Sequence, residues 1–319
     1  MNPALYIILH PVLPENAAKD TSLAMAEYAL GLSWPVFLVD PQDLWLDCGT
    51  THGQARRLLE LDHHTPITES AQEHAFGPGD ILLMRQDPPF NMAYIYNTYL
   101  LELAQRQGAV VCNDPRSIRD ANEKLFTAWF KDLCPPTLVT QNQDRIRAFI
   151  AKMGEVILKP LDLMGGEGIF KVSSQDPERD AIVERCTASG TTLIMAQRFL
   201  PEIEHGDKRI LLIHGKPVEH VLLRTPQPGH FLGNMAAGGS TSIIPLSAHD
   251  RRICAQIGPT LTKKGLDFVG IDVIGDALTE INVTSPTGIR QLEAQHPGCT
   301  LPVFFDFLQS LTHKIKDRI

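Results

Sequence analysis

Residues 268–286, FVGIDVIGDALTEINVTSP, constrain the fold of this chain more than any other segment. Val269, Ile271, Val273 and Ile274, then Leu278, Ile281 and Val283, form the pattern of two buried strands joined near Gly275-Asp276. Into this apolar pair the chain sets Asp272, Glu280 and Asn282. A carboxylate buried without a partner is costly, so the hairpin must meet a counter-charge. Glu280 and Asn282 share a strand face by the period of two. Asp272 joins them if it pairs with Glu280, as an odd-numbered loop such as Gly275-Asp276-Ala277 would allow. A two-residue Gly275-Asp276 turn would pair it with Thr279 and send it to the opposite face. The first register gathers an all-oxygen set suited to Mg2+, making a divalent metal the expected counter-charge. The second leaves a carboxylate-rich surface strand.

Elsewhere the chain changes style near residue 120. ALYIIL, PVFLVD, GDILLMR and GAVVCNDP read as short buried strands, separated by helical patterns over 22–32 and in MAYIYNTYLLELAQRQ. Such alternation predicts a doubly wound parallel sheet with ligands at the carboxyl ends of its strands. Residues 47–79 are polar and His-rich, with no clear period. SIRDANEKLFTAWFKDL predicts one amphipathic helix, capped at Ser117 or Asp120 and stopped by Pro135-Pro136. After a short helix over 143–153, paired strands predict α+β lobes. At 319 residues the chain exceeds the size of a single core. Three units are expected: an N-terminal α/β domain over 1–120, a small central lobe over 121–200 and a C-terminal lobe over 201–319.

Charge narrows the partners. A net charge of −8 argues against a general nucleic-acid or acidic-membrane surface, so an anionic ligand needs a local cluster of Lys and Arg. The six cysteines form no CxxC pair and no HExxH is present, which argues against zinc. Scattered cysteines fit a reducing cytosol, and neither a signal peptide nor a membrane span is expected.

Several motifs could supply that cluster. VILKPLDLMGGEGIFKV places Lys159 before a loop with Gly165, Gly166 and Gly168. Glycines let backbone N–H groups approach an anion; the same residues would also serve a plain hairpin. Lys124 sits in NEKLFTAWF, where a solvated helix face is the simpler reading. AQRFLP ends a strand with Gln197, Arg198, Phe199 and Leu200, which could offer backbone groups to a flat base or simply turn. GDKRILL sets Asp207 and Arg209 on one strand face, and Arg224 closes the next strand.

The order of these pieces, lysine, lysine with a glycine hairpin, strand-end hinge, arginines, then D…E-x-N, resembles the ATP-grasp ligases. KDTSLAM, LLMRQDPPF, NEKLFTAWF, ILKPLDLMGG, GNMAAGG, IGPTL and VGIDVIGDALTEINVTSPTGIR are similar to the prokaryotic glutathione synthetases over about residues 19–295. The resemblance implies a three-lobed ATP-grasp fold binding ATP and Mg2+ (or Mn2+), with γ-glutamylcysteine and glycine as substrates, in a cytoplasmic homotetramer. It implies that ATP phosphorylates the cysteinyl carboxylate and that glycine's amine attacks the acyl phosphate. Lys124 and Lys159 would hold phosphates, Gln197–Leu200 the adenine, and Asp207 the ribose or phosphates. Gly165 and Gly166 would border the nucleotide. Arg209 and Arg224, with Lys159, would serve the transferred phosphoryl group, and Asp272, Glu280 and Asn282 the metal. Arg85, Ser285, Pro286, Thr287 and Arg290 would face the dipeptide.

Two departures stand out. His10 follows the first strand where the family usually has Asp, and no Lys or Arg occurs from Thr225 to Asp250, with Leu232 and Ser240 where arginines are expected. Such a lid would shield an acyl phosphate less well, or admit a different acceptor amine. A ligase with another acceptor and a non-catalytic ATP-binding regulator are the competing expectations.

Overall fold

A computed structural model of the chain describes residues 2–11, 17–86, 89–231 and 239–316. The first sheet contains β1 (Ala4–Ile8), β2 (Val36–Asp47), β3 (Thr50–Asp62), β4 (Thr65–Thr68), β5 (Gln72–Ala75), β6 (Asp80–Met84) and β7 (Val110–Cys112). Its order is β4-β3-β2-β1-β6-β7, with β5 added to β3. Strands β2, β1, β6 and β7 run parallel. Side chains alternate across the strands, so Leu5 and Ile7 face Met25 and Ala29 of α1 (Thr21–Gly31), while Tyr6 and Ile8 face Tyr94 and Leu101 of α2 (Met92–Arg106). This is the doubly wound arrangement expected.

One edge differs. Residues 50–75, which show no period in sequence, form the antiparallel strands β3, β4 and β5. The inward positions of β3 are Thr51, Gly53, Ala55 and Leu58, and only the last is a large apolar residue. Gly53 is required by packing, since a Cβ there would stand 2.8 Å from the Phe76 ring.

The expected helix over 117–133 is two pieces. Helix α3 (Pro115–Asp120) is capped by Asp114, whose carboxylate accepts from the Ser117 N–H at 3.0 Å, rather than by Ser117 or Asp120. Tight 3-10 turns resume at Leu125–Leu133. Between them Asn122 Oδ1 accepts from the Lys124 and Leu125 amides at 3.2 and 2.9 Å, and the Glu123 carbonyl accepts from Ile281 at 2.9 Å. A side chain and a neighbouring strand thus capture the hydrogen bonds a continuous helix would use.

The second sheet is antiparallel, ordered β10-β9-β11-β8, from β8 (Thr137–Thr140), β9 (Glu155–Pro160), β10 (Phe170–Ser173) and β11 (Ile194–Arg198). Helices α4 (Gln143–Met153) and α5 (Arg179–Cys186) close a small core of its own around Ile146, Ile150, Val156, Leu158 and Val183. The third sheet is ordered β15-β14-β12-β16-β17. Its strands are β12 (Asp207–Ile213), β13 (Lys216–Pro217, paired with β12), β14 (His220–Thr225), β15 (Ser240–Pro245), β16 (Phe268–Ile274) and β17 (Ala277–Asn282). Helices α6 (Ala248–Lys264), α7 (Ile289–Gln295) and α8 (Leu301–Lys316) complete it. Unlike the second sheet, it shares its apolar cores with the first: Ile210 clusters with Tyr6, and Leu211 with Leu5.

Candidate active site

The site begins with the register of β16 and β17. Ile274 pairs with Ala277 across the two-residue Gly275-Asp276 turn, yet Asp272 still pairs with Glu280. The odd-numbered loop tied to the shared-face reading is absent, and the two-residue turn tied to the opposite-face reading is present without its register. A bulge at Thr279 inserts the extra residue instead, two residues further along, and its hydroxyl donates to the Asp272 carbonyl at 3.2 Å. A tight turn and a shared face are therefore compatible, which simple alternation does not allow.

Strand β12 lies beside β16 and places Arg209 opposite Asp272, while Asp207 lies opposite Arg224 of β14. These four charged residues are only 4–9% exposed. Arg209 Nε donates to Asp272 Oδ1 at 2.5 Å and its Nη2 to Oδ2 at 3.0 Å. Arg224 Nη2 pairs with Asp207 and lies 3.0 Å from Asp272 Oδ2. Gly270 makes room for this: a Cβ there would meet Arg209 Cδ at 2.9 Å. The counter-charges within the chain are thus two guanidiniums, with Lys124 Nζ 3.4 Å from Glu280.

Electrostatics follow from this packing. Burial opposes ionisation of Asp272, but Arg209 and Arg224 outweigh it and hold its carboxyl well below the usual range. Asp207 is pushed up to about 6, chiefly by burial, against the pull of Arg224. Its Oδ1 is buried with no hydrogen-bond partner among the described residues. Burial also lowers Lys159, with Glu280 opposing and Lys124 adding to the shift.

A cavity of about 360 Å³ opens between the second and third sheets and gathers most of the residues expected from sequence. Lys124, Lys159, Gly165, Gly166, Gln197, Arg198, Phe199, Leu200, Asp207, Arg209, Arg224, Asp272, Glu280, Asn282, Ser285 and Thr287 all line it. Lys159 Nζ donates to Gln197 Oε1 at 2.9 Å, and Gln197 in turn donates to Thr137 at 3.1 Å. Lys124 is not on a solvated helix face; its ammonium is buried and donates to the Leu163 carbonyl. Gly165 and Gly166 take φ of +64° and +87°, which glycine adopts at no steric cost.

Arg85, Pro286 and Arg290 do not line the cavity. Arg85 donates to the Pro286 carbonyl at 2.9 Å and to Ser22 at 3.1 Å, and the Ser285 hydroxyl returns to the Arg85 carbonyl at 3.2 Å. Arg290 is turned to α1, where it binds the Asp20 carbonyl and Glu27. His10 pairs with Asp40 at 2.8 Å. Leu232 lies outside the described residues, while Ser240 begins β15. Glu123, Thr279 and Asn113 were not expected from sequence; the polar triplet Asn122-Glu123-Lys124, which interrupts the amphipathic pattern, was the available signal for the first.

The donors suit a hard cation. Asn282 Nδ2 donates to the Gly270 carbonyl at 3.1 Å and lies 3.4 Å from Asp272, leaving its amide oxygen without a partner among the described residues. Glu280 is a quarter exposed, and among the described residues its carboxylate pairs with Lys124 at 3.4 Å. Among the described residues no three His, Cys, Asp or Glu side chains gather to hold an ion, so the set depends on the Asn282 amide.

Comparison with known proteins shows the family. Residues 4–119 match the model of the prokaryotic glutathione synthetase N-terminal domain, and residues 123–297 that of its ATP-grasp domain. The chain is 46% identical over 315 residues to a glutathione synthetase of Coxiella burnetii, covering 97% of each. It is 45% identical to one from Escherichia coli, covering 96% of this chain and 98% of the relative. The ATP-grasp ligase PsnB, solved with a minimal precursor, Mg and ADP, superposes with a TM-score of 0.62 at 16% identity, covering 97% of this chain and 98% of the ligase, a likeness of fold.

Proposed function

This chain belongs to the prokaryotic glutathione synthetase family, and from that premise we propose how its residues divide the work. It is an ATP-dependent carboxylate–amine ligase that makes glutathione. The observation that carries the assignment of roles is the convergence of two lysines, two arginines and the Asp272–Glu280–Asn282 face on one cavity.

Adenine lies against Phe199 and Leu200 at the end of β11, with Lys159 held in place by Gln197. Lys124 and Lys159 neutralise phosphate oxygens, and the glycines at 165 and 166 let the backbone approach them. Asp207 takes the ribose or lies beside the phosphates. Asp272, Glu280 and Asn282 would hold Mg2+, with Mn2+ as a substitute; the cation supplies neutralisation of charge on the transferred phosphoryl group. Asp272 is already shared by two arginines, so Glu280 and the Asn282 amide oxygen are the freer donors.

The chemistry needs no protein nucleophile. The cysteinyl carboxylate of γ-glutamylcysteine attacks the γ-phosphorus and ADP leaves, because a free carboxylate is too poor an electrophile for an amine. Arg209 and Arg224 hold the phosphoryl oxygens as charge spreads over them. Glycine's amine then attacks the acyl carbon, phosphate departs, and the amide forms. The dipeptide lies towards Arg85, Ser285, Pro286 and Thr287, with Arg290 bracing α7 against α1 behind them.

The test is the purified protein with ATP, Mg2+ and γ-glutamylcysteine, with and without glycine, followed by mass spectrometry. Glutathione is expected only when glycine is present, and ADP formation without a new amide would sink the reading. The absence of Lys and Arg from 225 to 250 favours a second reading, another acceptor amine. A panel of amines compared with glycine would show it. By family resemblance we also propose a cytoplasmic homotetramer. No helix among the described residues is long and apolar enough to cross a membrane.

A further inference from the structure

Strand β17 ends at Asn282, so the N–H groups of Val283 and Thr284 have no ladder partner, although both residues are buried. One carboxylate oxygen satisfies both. Glu123 Oε1 accepts from the Val283 N–H at 2.8 Å, from the Thr284 N–H at 3.0 Å and from the Thr284 hydroxyl at 2.9 Å. The Glu123 carbonyl accepts from Ile281 at 2.9 Å, and the next residue, Lys124, lies 3.4 Å from Glu280. Two consecutive residues therefore grip every position from 280 to 284 except Asn282, which they bracket.

The gripped segment leads to Ser285 and Pro286, tied to Arg85, and to Gly288, whose N–H donates to Thr21 at 3.2 Å. We propose that Glu123 is a positioning residue: its carboxylate fixes the end of β17, and with it Glu280 and Asn282, at a set distance from Lys124. It acts from the cavity wall, through the two backbone amides and the Thr284 hydroxyl that it holds. An acceptor oxygen of the right reach is the requirement, and the negative charge strengthens the bonds without being indispensable. The inference rests on the assignment of Asp272, Glu280 and Asn282 to the cation.

The test separates metal-dependent from metal-independent nucleotide binding. ADP is titrated calorimetrically into the wild type, Glu123→Ala, Glu123→Gln and Thr284→Val, with and without Mg2+. In Glu123→Ala the gain in ADP affinity on adding Mg2+ is expected to fall about tenfold, with metal-free binding within about twofold of wild type. Glu123→Gln, which keeps an acceptor oxygen, is expected to restore most of that gain. Equal loss with and without Mg2+, or no loss, overturns the proposal. Should Glu123→Ala fail to fold, Thr284→Val carries the test: it removes one of three donors, and a Mg2+ increment equal to wild type contradicts the positioning role. A wild-type protein showing no Mg2+ increment would instead sink the cation assignment beneath it.

Discussion

At the scale of single residues, the site works because charges that could not be buried singly are buried together. Asp207, Arg209, Arg224 and Asp272 balance as two acids and two bases, while Lys159 is desolvated and held by an amide. Replacing Lys159 with Ala removes a preorganised cation, and kcat is expected to fall at least a hundredfold, about 3 kcal/mol of transition-state stabilisation. A turnover within about twofold of wild type would rule out its role. Asp207 gives a pH signature. Its folded value of about 6 lies above that of an unfolded carboxyl, so the fold binds its proton more tightly. The stability this group contributes is present at low pH and is lost as pH rises through 6. In urea unfolding across pH 4.5–7, wild type minus Asp207→Asn should therefore decline with pH, by on the order of 2 kcal/mol. A flat difference would refute the raised carboxyl.

At the scale of elements, the decisive piece is the β16–β17 hairpin. Its tight turn needs Gly275 at φ +58°, and a Cβ there would press on the Glu202 side chain at 3.1 Å. Gly275→Val is expected to destabilise the protein by about 1–2 kcal/mol in denaturant unfolding, mainly through the left-handed backbone. Stability equal to wild type would show that the turn tolerates another conformation. The residue types of this hairpin were plain in sequence, but its register was not. Alternation counts positions, whereas a bulge such as that at Thr279 is fixed by cross-strand hydrogen bonding. The split helix over 117–133 failed for a related reason: local periodicity cannot see that Ile281, far away in sequence, will claim the Glu123 carbonyl.

At the scale of the whole molecule, the first and third sheets are one packed body and the second has its own core. Asn113 joins the two halves of that body. Its amide nitrogen donates to the Phe268 and Val283 carbonyls at 2.8 Å each, and its oxygen accepts from the Asp267 and Phe268 amides at 2.6 and 2.7 Å. Asn113→Ala would take a partner from four backbone groups, three of them buried and the Asp267 N–H half-buried, so a loss of about 3 kcal/mol or more is expected in chemical denaturation. A loss below about 1 kcal/mol would mean that water replaces the side chain there.

The sequence by itself determined the alternating architecture of the first lobe, the apolar strands of the other two, and the kinds of side chain the chemistry requires. These are local properties, set by periodicity and by the cost of burying charge. Only the tertiary structure decided that Asp272 is met by Arg209 and Arg224, that Lys124 is buried beside Glu280, that Arg290 turns to Glu27, and that Glu123 holds the strand end. Each of these is a contact between residues distant in the chain, and such pairings depend on register, bulges and the packing of whole sheets, which no local pattern encodes.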